Sequence, residues 1–302
     1  MNTHSSSPDS TSTQRALVLG GGGSAGNAWL IGIIAGLFDA GLDVTNADLV
    51  VGTSAGGTAA AQITGKARPD ELFADILAAP MPTRPVGGGA PPAGSGINHL
   101  DELSAIIASA RDVQDMRRRL GAATLARAAD PDASARWRAT VAARLPGMSW
   151  PERRLLITAI DAHTGEGVVF DRESGLDLID AITATTSNGF GAPPFPVGDW
   201  RYLDGGYRRN ENADLANGYE RVLVLSPLGG RTLHPLEWGM QLAAQVDELR
   251  AGGSRVETVL PDANSLAAFG GNMMNPSTRP PAARAGYAQG VALAGELTEF
   301  WR

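Results

Sequence analysis

The chain has 302 residues, which suits one large α/β domain or two ordinary ones. Hydrophobic residues make up 43 %, excluding a globally disordered chain, while charged residues make up only 19 % with a net charge of -7, which argues against a nucleic-acid binder. Cysteine is absent, removing disulfides, thiolate catalysis and zinc–cysteine sites together, and the 4 histidines are too few for a histidine-rich metal centre. No metal and no cofactor is expected.

Residues 1–14, MNTHSSSPDSTSTQ, are polar and Ser/Thr-rich, and read as a disordered leader rather than a signal peptide. The longest apolar stretch, 28–38, is interrupted by Gly32 and Gly36 and falls short of the roughly 20 residues that span a bilayer. The expectation is a soluble, cytoplasmic protein. Residues 15–19 form a short apolar run closed by glycines, the pattern of a buried parallel strand. A glycine loop follows at 20–26. Residues 27–40 then show helical spacing, with Trp29, Ile33 and Leu37 on one core-facing stripe. A second buried strand at 47–51, a tight turn at 52–57 and a small-residue helix at 58–64 complete a unit typical of parallel α/β sheets.

Residues 80–96, PMPTRPVGGGAPPAGSG, are too rich in Pro and Gly for regular structure and read as a flexible segment, a lid or a linker. Residues 100–150 are Ala/Arg-rich and read as a helical insertion within one catalytic domain spanning 15–302. Strands are expected at 155–160 and 167–170 around a turn, a helix at 176–186, a buried strand at 221–225, and helices at 236–250 and 283–300.

Gly52-Thr53-Ser54-Ala55-Gly56 is G-x-S-x-G in a strand–turn–helix setting. A serine at the apex of such a turn is exposed on a strained backbone, its crowded flanks favour Gly52 and Gly56, and the new helix points its positive end at it. The loop Gly20-Gly21-Gly22-Gly23-Ser24-Ala25-Gly26 has two readings. Gly21, Gly23 and Gly26 match a dinucleotide fingerprint, but the next strand ends at Val51 without the acidic residue that binds ribose. The other reading is an oxyanion hole for Ser54 made by backbone amides of Gly21, Gly22 and Gly23. The base for Ser54 has four candidates. His99, His163 and His234 lack flanking signatures, and Asp204 ends a short strand with Gly205 and Gly206 behind it, leaving room for another loop to approach.

Together the glycine loop, Gly52 to Gly56 and Asp204-Gly205-Gly206 resemble the motifs of the patatin-like phospholipase family. Residues 155–173 (LLITAIDAHTGEGVVFDRE), 221–227 and 286–290 extend the likeness over most of the chain from Ala16, apart from the insertion. The resemblance implies a three-layer α/β/α sandwich around a mainly parallel sheet. It also implies a Ser-Asp dyad, with Ser54 as nucleophile, Asp204 as base and amides around Gly22 and Gly23 holding the oxyanion. The implied substrate is a phospholipid or other lipid ester, with transient contact at a membrane surface. Alternatives are an acyltransferase or thioesterase on the same dyad, or a non-catalytic lipid- or nucleotide-binding protein. Two departures stand out: Ala25 occupies a position often basic in the family, and 184–196 (ATTSNGFGAPPFP) is irregular beside its Pro-Phe-Pro pattern. The insertion also carries Arg117, Arg118, Arg119, Arg127, Arg136, Arg138 and Arg144 around Trp137, either a solvated face or a cap for anionic headgroups.

Overall fold

The computed structural model describes residues 14–80, 99–127 and 130–302. Residues 1–13 of the leader expected at 1–14, and residues 81–96 of the flexible segment expected at 80–96, lie outside the described residues.

Strand β1 (Arg15–Leu19) lies between β2 (Leu49–Gly52) and β7 (Arg221–Leu225), and parallel pairing continues from β2 to β3 (Arg154–Asp161) and from β7 to β8 (Arg255–Val259). Beyond this parallel body the sheet turns antiparallel. β4 (Gly167–Phe170) and β6 (Trp200–Asp204) both pair with β3, and β5 (Phe195–Val197) pairs with β6.

Strand alternation sends side chains to two opposed cores. Leu17, Leu19, Val50, Ile157, Leu223 and Leu225 belong to one, while Ala16, Val18, Leu49, Val51, Val222 and Val224 belong to the other. The first core is covered by α1 (Gly23–Asp39), α2 (Ala55–Ile63), α3 (Pro69–Ala78), α7 (Leu178–Thr185) and α10 (Arg279–Trp301), the second by α8 (Leu242–Ala251) and a 3-10 turn at Ala213–Ala216. This is the expected three-layer α/β/α sandwich. Helices α4 (His99–Ser109), α5 (Val113–Arg127) and α6 (Ala133–Arg144) lie in sequence between α3 and β3, and α9 (Ala263–Phe269) precedes α10. No helix among the described residues is long and apolar enough to cross a membrane.

Two expected helices begin earlier than expected. The glycine loop already forms the first turn of α1, and α2 starts directly after Ser54 instead of at residue 58. The stretch 236–250 is not one helix: a 3-10 turn at Leu236–Trp238 ends at Gly239, whose φ of 64° breaks the spiral before α8. β8 begins at Arg255 and carries Glu257 and Thr258 between its two valines, too weak an apolar run to mark it as a strand.

Helix α1 is buried from Ala25 to Leu37, and glycines make that possible. A Cβ on Gly32 would sit 2.2 Å from the Ala283 carbonyl oxygen, and one on Gly36 2.2 Å from that of Tyr287. On α10, Gly286 and Gly290 answer with equally close approaches to the Trp29 and Ile33 carbonyls. The glycines that interrupt the apolar stretch are thus the contact surface of a helix pair packed backbone to backbone. Gly36→Ala gains up to about 1 kcal/mol of helix propensity. It must also push α10 away, which costs about 1–3 kcal/mol or more. The expected outcome is net destabilisation, read as a lower urea midpoint with an unchanged slope.

Candidate active site

Ser54 has φ 53° and ψ -117°, one of two non-glycine residues with positive φ among the described residues. Such a conformation costs on the order of 1–3 kcal/mol and persists only when its surroundings impose it. Here four hydrogen bonds do so. Thr53 N–H donates to the Leu19 carbonyl (3.1 Å), and Ser54 N–H donates to Thr185 Oγ1 (2.9 Å). The carbonyls of Thr53 and Ser54 accept from Gly56 and Thr58. A Cβ on Gly56 would lie 2.0 Å from the Leu19 oxygen, so the turn closes over β1 only with glycine there, and Gly52 is crowded by Gly57 and Ala60. Ser54 caps α2, yet its side chain makes no capping bond. It faces the same cleft as Asp204 instead, close enough to hold that carboxyl's pKa down.

The sheet explains how Asp204 comes to be there. β4 occupies one edge of β3 over residues 157–160. β6 overlaps that stretch at 159–161 and therefore lies on the opposite edge, where β2 already pairs over 154–157. Parallel β2 and antiparallel β6 thus approach tip to tip along one edge of β3. Ser54 leaves one tip, and Asp204 ends the other. Gly205 fits against β3 because a Cβ there would meet Thr158 Oγ1 at 2.1 Å, and Gly206 N–H donates to Asp204 Oδ1 (2.8 Å). Burial raises the Asp204 pKa, the bonds from Ser54 and Gly206 partly offset it, and the result is about 6.

The glycine loop lies beside this pair; a Cβ on Gly21 would come within 3.6 Å of Ser54 Cβ. Gly21 N–H is already given to the Asn210 carbonyl (3.1 Å), so Gly21 does not supply a free donor, a correction to the expected trio. Gly22 caps α1, Gly23 starts it with φ 62°, and Gly26 N–H bonds Gly22 O. The amides of Gly22, Gly23 and Ser24 have no hydrogen-bond partner among the described residues, and both α1 and α2 turn their positive ends toward the cleft. Ala25 brings no charge, but Arg279 reaches in from α10 to the Ser24 carbonyl and to Asn27 Oδ1.

Sequence reasoning missed the supporting cluster at 210–212. Asn212, in the left-handed region (φ 55°), donates from Nδ2 to Thr53 Oγ1, Thr158 Oγ1 and the carbonyls of Gly205 and Arg209, clamping β2, β3 and the Asp204 turn together. Buried Glu211 accepts from Ser226, Asn210 and Gln245, and burial raises its pKa. Only the run Asn-Glu-Asn just after Asp-Gly-Gly marks these residues, and each reads equally well as loop.

Ser54, Asp204, Gly21, Gly22, Gly23 and Gly206 all line one cleft of about 990 Å³. Of the histidines, His163 is exposed in the β3–β4 turn, and His99 begins α4. His234 lines the cleft, but its Nδ1 shares a hydrogen bond with Thr232 and burial pushes its pKa down to about 4. No histidine bonds Ser54 among the described residues. The basic insertion is not a free cationic face. Arg117 donates to the Tyr207 and Arg208 carbonyls, Arg118 and Arg119 pair with Asp115, Arg127 with Glu102, Arg136 with Asp130 and Arg138 with Asp180.

Residues 17–217 match the family model described as patatin-like phospholipase, and the chain belongs to that family. None of the curated proteins matches it. Among solved structures, the type III effector protein ExoU is similar over 93 % of this chain and 53 % of its own, with 16 % identity and a TM-score of 0.37. ExoU in complex with SpcU, from the type III secretion system of Pseudomonas aeruginosa, is similar over 92 % and 53 %, with 16 % identity and a TM-score of 0.33. The chain spans about half the length of those ExoU chains.

The Asp204 environment carries a stability signature. Its folded pKa of about 6 stands above the ordinary aspartate value of 3.8, so the folded state holds the proton more tightly than the unfolded one. Stability that is complete below about pH 4 is therefore lost as pH rises through about 6, by roughly 3 kcal/mol. Asp204→Asn never ionises. Urea unfolding across this window is expected to show the variant gaining on the wild type as pH rises, with the difference levelling off above about pH 7.

Proposed function

We propose that the protein is a serine acyl-ester hydrolase that cleaves acyl chains from phospholipids or related lipid esters. The observation that carries this is the meeting, in one cleft beside the glycine loop, of a strained, uncapped Ser54 and a buried Asp204 whose pKa is raised to about 6. A carboxylate is a poor base at its ordinary pKa. Burial brings it toward the operating pH, where it both accepts a proton and remains ionised.

In the reaction, Asp204 takes the Ser54 proton as Oγ attacks the ester carbonyl. The amides of Gly22 and Gly23 receive the oxyanion, helped by the positive end of α1. Collapse breaks the ester bond, and the departing alcohol takes the proton from Asp204. Water then gives a proton to Asp204 and attacks the acyl-enzyme; as the acyl–Oγ bond breaks, Asp204 passes that proton to Oγ, and the fatty acid leaves with Ser54 and the Asp204 carboxylate restored. A histidine is not required, in keeping with the positions of His163 and His234. The apolar wall supports a lipid substrate: Leu100, Leu233 and Met274 line the cleft and are 65 %, 57 % and 58 % exposed.

The test is hydrolysis of p-nitrophenyl acyl esters of increasing chain length. Ser54→Ala is expected to lose at least about 10⁴-fold in kcat, and Asp204→Asn about 10²–10⁴-fold. Undiminished turnover in Asp204→Asn removes Asp204 from the scheme. For the wild type, kcat/KM is expected to rise with pH through about 6, where Asp204 loses its proton.

A further inference from the structure

Among the described residues, the charged side chains that line the cleft are Arg144, Arg231, Arg279 and Asp204. The chain as a whole carries an excess of acids, yet its cleft wall carries three cations against one buried carboxyl. Such a wall focuses a positive potential into a concave, partly dry space.

Two of these arginines stand out for what they lack. Every other arginine of the basic insertion described above is spent on a carboxylate or on backbone carbonyls. Arg144, at the end of α6, lies over the Trp137 ring (5.4 Å to its centroid) and has no carboxylate partner among the described residues. Arg279 bonds only neutral acceptors, the Ser24 carbonyl and Asn27 Oδ1. It also occupies the first turn of α10, where a cation opposes the helix dipole. Burial lowers the Arg279 pKa, and repulsion between its guanidinium and that of Arg144 lowers it further. Four positive features therefore converge: both guanidinium groups and the amino ends of α1 and α10.

We propose that Arg144 and Arg279 form an anion subsite in the wall of the Ser54 cleft, which receives the phosphate group of the acyl-ester substrate. The planar fork of arginine matches the paired oxygens of a phosphate. Bound there, the phosphate relieves the repulsion between the two cations and sets the glycerol-ester end of the molecule toward the glycine loop. This subsite rests on the hydrolase reading for its substrate, though not for its affinity.

The test compares two ligands that differ only in the phosphate, 1-acylglycerol and 1-acylglycerol 3-phosphate with the same acyl chain. Binding is measured calorimetrically on Ser54→Ala, and turnover on the wild type. The phosphate ester is expected to bind at least about tenfold more tightly and to show a correspondingly lower KM, a preference that falls toward one in Arg144→Gln/Arg279→Gln. Should the double variant fail to fold, Arg144→Gln alone carries the test, because Arg144 makes no hydrogen bond among the described residues. Equal binding of the two ligands overturns the subsite even if both are hydrolysed. Preferential binding without turnover keeps the subsite and removes the hydrolase reading. Inorganic phosphate supplies the other arm. Competition with the phosphate ester is expected, whereas phosphate binding with no ester preference shows a site for the free ion and overturns its role in substrate selection.

Discussion

One edge of β3 is shared by two strands running in opposite directions, and the candidate site follows from that sharing. β2 pairs along the first half of the edge and β6 along the second, so their ends face each other across the level of Thr158. A chain leaving β2 there must turn away at once, and it does so through Ser54 into α2. A chain leaving β6 there must also turn, and it does so through Gly205 and Gly206. Both turns are crowded, which explains why glycine occupies Gly52, Gly56 and Gly205, where a Cβ would come within 3 Å of neighbouring atoms. The serine and the aspartate meet because each is the first residue with nowhere else to go.

Holding two strand tips together has its own requirements. Their backbone groups cannot pair with each other as a ladder would, so side chains must satisfy them. Asn212 does this for the Gly205 carbonyl and ties it to the Thr53 and Thr158 hydroxyls through the same amide. Thr185 performs it from α7 by accepting the Ser54 amide. The strain at Ser54 and the unfavourable burial of the Asp204 charge are two local costs borne by this polar clamp and the apolar layers around it. Their coincidence at one place, on opposed tips, is what separates this pair from an ordinary tight turn.

The sequence discloses most where a single strong rule operates. β1, β4 and β7 match their expected bounds because short, β-branched or apolar runs end at glycine or at turn residues. Ser54 and Asp204 were legible because crowding leaves glycines around them. Legibility failed where tertiary contacts decide the outcome. β8 is a strand only because β7 offers it an edge, despite its charged residues. Gly21 looks identical to its neighbours, yet Asn210 takes its amide. Gly32 and Gly36 read as interruptions in an apolar stretch, and become visible as a packing surface only when α10 lies against them. Asn212 acts entirely through partners distant in sequence.

The cleft combines two electrostatic demands that pull in opposite directions. Asp204 needs a dry, low-dielectric setting to raise its pKa, and positive charges nearby would lower it again. Burial heads the influences on Asp204, with only the Ser54 and Gly206 bonds opposing it and no guanidinium among them. The arginines therefore line the wall without pairing with Asp204. Arg279 reaches only the Ser24 carbonyl and Asn27, and Arg144 is held over Trp137. Separation of this kind lets one cleft present cations to a ligand while its carboxyl keeps the basicity that burial confers.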